Sequence, residues 1–144
     1  APFVREAVAV DNSAAMLAAA KQRLAGLDNV RIEHSALANL TLDANCLDAA
    51  WLILVLPYLS DPVEVLREAA RVLRPNCPLV IVDLLPHDRT AYRQDMGHLR
   101  MGVGQPELSD WIRAAGLSLR KYHQLPPDPR AKGPALFAAV ACAP

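Results

Sequence analysis

Asp11 closes a short apolar run, Ala7 to Val10, and is followed by Asn12, Ser13 and residues of helical spacing. A carboxylate at the C-terminal end of a parallel strand can accept both hydroxyls of a ribose, because ligands of such sheets lie beyond those strand ends. The same acid can instead satisfy the first amides of the helix that follows. A second constellation, His87, Asp88, Arg93 and His98, is the most polar in the chain. Either imidazole could take a proton from a bound molecule or orient it. Asp88 also reads as a helix cap, Arg93 as a solvated face and Gly97–His98 as a turn. No third ligand stands at a metal-binding spacing, so no metal site is expected. His34 and His123 fall on strands and carry no further signal. Cys46, Cys77 and Cys142 are odd in number and widely spaced, and read as small buried apolar residues in a reducing compartment.

The elements that must position these groups alternate between short apolar runs and amphipathic stretches, the pattern of βα units. Ala7 to Val10 predicts a strand, and Leu17, Ala20 and Leu24 a helix that begins at Asn12 or Ser13 and stops at Gly26. Val30 to His34 alternates as a strand, and Ser35 to Asn45 reads as a loop. Asp48 to Leu56 is almost continuously apolar, which predicts a strand buried on both faces at the centre of a parallel sheet. Asp61 and Pro62 open a helix with Glu64 in capping-box position, and Leu66, Ala69, Ala70 and Leu73 form its apolar face. After the turn Pro75–Asn76–Cys77–Pro78, Leu79 to Leu85 is another buried strand. A helix from about Arg89 to Met96 is expected with Asp88 as its cap, and one from Pro106 to Gly116 with Leu108, Trp111, Ile112 and Ala115 on one face. The connection between the last two strands, Leu117 to His123 and Ala135 to Cys142, is too short and stiff for a crossover helix, so these strands are expected to be antiparallel.

Composition sets outer bounds. A chain of 144 residues with 53% hydrophobic and 21% charged residues suits a single globular domain, here residues 1–144. Lysine plus arginine and aspartate plus glutamate both total 15, so no overall field favours nucleic acid or an anionic membrane. No leader pattern or membrane-length apolar run is visible, and a cytoplasmic location is expected.

The segments AVDNSAAM and DAAWLILVLPYLSDPVEVLREAARVLRPNCPLVIVD resemble class I S-adenosylmethionine-dependent methyltransferases. The nearest group is the small-molecule methyltransferases related to quinone biosynthesis. Pro86 to Gly116 resembles the methyltransferase domain fused to winged-helix regulators of the arsenical-resistance type. The resemblance implies an α/β, Rossmann-like open sheet, mostly parallel with a terminal antiparallel strand. It implies S-adenosylmethionine as cofactor and a small-molecule acceptor. Asp11 and Asn12 would then meet the ribose, and Met16, Ala36 and Leu37 would border the adenine. Leu54, with Val55 and Pro57, would face the methyl donor or acceptor. Tyr58 and Arg93 would contact the acceptor, and His87 and His98 would lie in a cap above it. Met16 reads equally as a packing residue, and Tyr58 more readily as one than as a reacting group.

The sequence departs from that pattern. The first strand and glycine-rich loop precede the matching segment, so a truncated domain is expected, with one wall of the cofactor pocket lost. Ala36 stands where an acid commonly faces the adenine, and Asn76–Cys77 stands where two glycines are usual. The strands ending at Asp11 and Leu54 would lack a neighbour, which predicts rearrangement, marginal stability or a homodimer through the open sheet edge. A non-catalytic partner-binding or regulatory module is the alternative. A nicotinamide-binding domain, which also places an acid after its second strand, ranks third because it continues in parallel strands.

Overall fold

The computed structural model describes residues 3–144. They form two units, one running to Thr41 and the other spanning Leu42–Pro144.

The first unit is a single βαβ element. Strand β1 (Ala7–Asp11) pairs in parallel with β2 (Val30–His34), from Ala7 opposite Val30 to Asp11 opposite His34. Helix α1 (Ala14–Leu24) makes the crossover that parallel pairing requires. Its start is set by Ser13, whose hydroxyl accepts from the Met16 amide at 3.4 Å. The helix buries Leu17, while Met16 remains 61% exposed.

The second unit is a four-stranded mixed sheet in the order β3 (Ala50–Ile53), β4 (Pro78–Leu84), β6 (Leu136–Cys142), β5 (Ser118–Gln124). β3 and β4 are parallel; β6 runs antiparallel to both β4 and β5. The final hairpin is thus antiparallel, as its stiff connection requires. Its last strand lies between β4 and β5 instead of at the sheet's edge.

Period-2 alternation gives this sheet one buried face. Leu79, Ile81 and Asp83 of β4 lie opposite Ala141, Ala139 and Phe137 of β6, and all six are buried. Small alanines opposite large aliphatics leave room for the covering helices, α2 (Pro62–Val72) and α4 (Gln105–Ala114). Leu66, Leu73, Leu108 and Ile112 complete the core. Asp61 caps α2 by accepting from the Glu64 amide at 3.1 Å, and Pro62 occupies the first helical turn. Gly116, at φ +80°, closes the α4 end.

Three expectations require correction. The apolar segment Asp48 to Leu56 is a strand only over Ala50–Ile53, and it is not buried on both faces: Trp51 and Ile53 are each 58% exposed. Its one partner among the described residues is β4, so one edge and one face stay open. The helix after β4, α3 (Ala91–Met96), begins two residues later than the spacing suggests. Thr90 stands at its N-cap position and Asp88 does not cap it. The cysteines are free thiols, as expected, but half-buried. Asn76, in the turn before β4, takes φ +62°, a left-handed conformation that glycine favours and asparagine tolerates.

Candidate functional site

In the first unit, the ends of two paired strands bring the proposed nucleotide-contacting groups together. Asp11 and His34 are register partners. One carboxylate oxygen of Asp11 accepts from the amide of Ser13, the residue that caps α1, at 2.8 Å; its Oδ2 has no hydrogen-bond partner among the described residues. Asn12 is held from the neighbouring strand, its carbonyl 3.0 Å from His34 Nε2, a role for His34 that spacing alone did not reveal. Beyond β2, the Ala36 carbonyl accepts from Asn39, while the Leu37 amide has no partner among the described residues. A carboxylate oxygen and an amide left open at the C-terminal ends of adjacent parallel strands suit a ribose hydroxyl and a ring nitrogen, respectively. Met16 lies with Ala19, Ala20, Arg23 and Leu24 around a shallow depression on α1. The nearby Glu33 carboxylate is already engaged by the Thr41 hydroxyl, the Thr41 and Ser35 donors and Arg31. The Thr41 hydroxyl in particular holds its pKa below the usual carboxylate range.

In the second unit, Asp83 organises the turn after β3. This wholly buried carboxylate accepts from the amides of Val55 at 3.1 Å, Leu56 at 2.9 Å and Leu84 at 2.8 Å. Burial pushes its pKa up, against the opposing pull of the three amides and of nearby His98. These bonds, with Leu54 N–H donating to the Val82 carbonyl at 2.9 Å, hold Leu54 at φ +56°. A leucine adopts that conformation only where its surroundings over-determine it. The chain then passes through a single 3-10 turn, Leu56–Tyr58, that projects Tyr58.

Residues 97–103 return across this turn. Leu99 donates to the Pro57 carbonyl at 2.8 Å, His87 to the Met101 carbonyl at 3.1 Å and Val103 to the Leu84 carbonyl at 2.9 Å. Gly102, at φ +81°, passes so close to Leu85 that a Cβ there would lie 2.1 Å from its carbonyl oxygen.

The result is a cluster of four rings. Tyr58 meets His98 edge-on with centroids 4.6 Å apart, Tyr92 lies 5.3 Å from His98, and His87 lies 5.1 Å from Tyr92. His98 is 4% exposed, and its Nδ1 is buried without a hydrogen-bond partner; so is Nε2 of His87. Burial, with the neighbouring charges of His98 and Arg89, lowers the His87 pKa against the opposing pull of Asp88. Two imidazoles with unused nitrogens beside two aromatic rings form a place where a small polar molecule could be held.

The structure thus brings His87, His98 and Tyr58 together. Arg93 lies on the exposed side of α3, with no side-chain hydrogen bond or ion pair among the described residues. Leu54 is half exposed at the turn. Tyr92 and Asp83 escaped sequence reasoning. The short distance from Tyr92 to Gly97–His98 was a usable signal for the first; nothing in an apolar strand ending VIVDLL marks the second. Among the described residues, no group of histidine, cysteine and acidic side chains could hold a metal ion, and no helix is long and apolar enough to cross a membrane.

Residues 1–81 match the family model described as "Methyltransferase domain". Among curated proteins, the chain is similar to a demethylmenaquinone methyltransferase of Clavibacter sepedonicus, with 28% identity over 82% of this chain, and it spans 59% of that protein's length. Among solved structures, it superposes on an S-adenosylmethionine-dependent methyltransferase from Mesorhizobium loti with a TM-score of 0.78, at 18% identity, covering 96% of this chain and 81% of the other. The [4+2]-cyclase SpnF superposes with a TM-score of 0.77, at 18% identity, covering 96% and 66%. Likeness at this level of identity establishes the Rossmann-like α/β fold.

Proposed function

The chain belongs to the methyltransferase-domain family, with S-adenosylmethionine as its expected cofactor, and from that premise we propose that it transfers a methyl group to a small-molecule acceptor. The observation that carries the cofactor half is the pair of open groups at the strand ends of the first unit, Asp11 Oδ2 and the Leu37 amide. In this reading Asp11 and Asn12 hold the ribose, Met16, Ala36 and Leu37 border the adenine, and Leu54 contributes from the turn after β3. Ala36 offers no side-chain hydrogen bond, so adenine recognition falls to the backbone. The bound cofactor would supply a methyl group on an already activated sulfonium. This chain's residues then have mainly to orient the acceptor and handle its proton. His87, His98 and Tyr58 serve that role, with Arg93, exposed on α3, as a further contact to the acceptor.

We extend the proposal further. Residues 1–144 act as one domain in the cytoplasm, nearest in kind to the methyltransferase domains fused to arsenical-resistance-type winged-helix regulators. Two copies associate along the open edge of β3, where Trp51 and Ile53 are exposed. Sedimentation as a monomer at high micromolar concentration would count against the last point.

A fold shared with a [4+2]-cyclase does not decide the chemistry. The test is calorimetric titration of the chain with S-adenosylmethionine and S-adenosylhomocysteine. Binding in the micromolar range that weakens at least tenfold in Asp11→Ala is the expected result. A folded chain that binds neither compound at millimolar concentration would overturn the proposal and favour a non-catalytic partner-binding or regulatory module.

A further inference from the structure

The two imidazoles of the ring cluster are not equivalent, and the difference lies in the backbone. The Arg89 amide donates to Nδ1 of His87 at 3.2 Å. A neutral imidazole carries one proton, and the nitrogen that accepts a hydrogen bond is the one without it. In the neutral ring the proton of His87 therefore sits on Nε2, and that nitrogen is buried with no partner. Nε2 is a donor without an acceptor, a condition that buried polar groups rarely tolerate unless a ligand or water completes them.

Protonating the ring would place an N–H at Nδ1 against the Arg89 N–H, donor facing donor. Arg89 and, whenever it is protonated, His98 oppose a positive ring at His87, and Asp88 favours one. Tyr92, packed at 5.1 Å, adds no charge while its phenol is neutral. Nδ1 of His98, on the other side of Tyr92, is buried and equally without a partner.

Resting on the acceptor-site reading above, we infer that His87 presents a fixed Nε2–H to the acceptor, so that the site selects a hydrogen-bond-accepting oxygen on a flat ring or conjugated carbonyl over an amine at the same place. A phenol, enol or ketone oxygen has a lone pair to offer that donor. An aryl amine directs N–H groups toward it, and its delocalised nitrogen lone pair is a poor acceptor. The tyrosine rings of Tyr58 and Tyr92 suit a planar body. His87 is then an orienting donor, and His98 is left as the group that can take a proton.

The test uses the intact chain labelled with nitrogen-15 histidine, with phenol and aniline as matched probes. At pH 7.5 the His87 ring should show the neutral Nε2–H tautomer, and phenol should shift its Nε2 resonance at concentrations where aniline does not. His87→Phe should weaken phenol binding at least tenfold. His87→Gln, whose side-chain amide can donate from a similar position, should recover most of it and also controls for folding. A proton on Nδ1, a charged ring, equal binding of the two probes, or unchanged phenol binding in His87→Phe would each overturn the inference while leaving an acceptor site in place. No response of the His87 or His98 ring nitrogens to either probe would overturn both the inference and the acceptor-site reading.

Discussion

Replacing Asp83 by alanine should unfold the second unit at much lower denaturant concentration. The carboxylate is fully buried and accepts from three backbone amides, of which Leu56 and Leu84 belong to buried residues and Val55 to a half-buried one. A buried donor stripped of its partner costs roughly 1–3 kcal/mol. Two such donors and part of a third therefore cost about 3–6 kcal/mol. Removing a carboxylate that burial disfavours offsets some of this, which leaves an expected loss of about 3 kcal/mol for Asp83→Ala, against a total stability of roughly 5–15 kcal/mol. Asp83→Asn keeps one accepting oxygen and should cost about half as much. Trp51 and Trp111 both lie in this unit, so tryptophan fluorescence in a urea series follows its unfolding.

The same residue predicts a pH slope. Because burial raises its pKa above the unfolded value, the native unit binds the Asp83 proton more tightly than the unfolded chain does. The stability associated with this group is then fully present below the unfolded pKa and is lost as pH rises through the folded one. The difference in stability between the native sequence and Asp83→Asn should accordingly narrow as pH rises through that window, and the subtraction cancels titrations common to both, such as that of Glu33. An Asp83→Ala loss under about 1 kcal/mol, or a difference independent of pH, would refute the reasoning.

Two further substitutions test the scaffold around the ring cluster. Gly102→Ala would set a Cβ 2.1 Å from the Leu85 carbonyl oxygen and 2.8 Å from Pro86 Cα, at φ +81°. Backbone on both sides cannot yield cheaply, so a loss of about 3–5 kcal/mol is expected by denaturant unfolding; a loss under about 1 kcal/mol would show that residues 97–103 relax freely. Phe137→Ala empties the centre of the core and removes the ring stacked on Tyr122 at 5.3 Å. It should cost about 3–5 kcal/mol and bring the Tyr122 phenol, whose pKa burial now raises, back toward its ordinary value in an ultraviolet titration.

The alternation of strand and helix follows from the sequence because it is a local matter. Ser13 and Asp61 cap where short polar side chains precede an apolar periodicity, and the observed hydrogen bonds to Met16 and Glu64 are the bonds their spacing implied. Asn76 tolerates its turn through its own backbone conformation, and the stiff proline-rich connection needs only its length to favour an antiparallel return. Asp11 was legible for the same reason: an acid between a strand and a helix has few places to go.

What the tertiary structure decided involves partners distant along the chain. DAAWLILVL reads as an interior strand, yet among the described residues β3 finds only β4 beside it, and Trp51 and Ile53 are exposed; local apolarity carries no count of neighbours. The placement of β6 between β4 and β5 depends on alanines fitting opposite Leu79 and Ile81, which is a matter of volume across strands. Asp83 reads as the polar end of a strand until the turn at Leu54–Leu56 folds back upon it. Tyr92 joins His87 and His98 only because Gly97 and Gly102 bend residues 97–103 across β4. Periodicity and capping act within a few residues of one another. Burial, edge position and the convergence of four rings are properties of which segments meet, and those are settled only when the whole core packs.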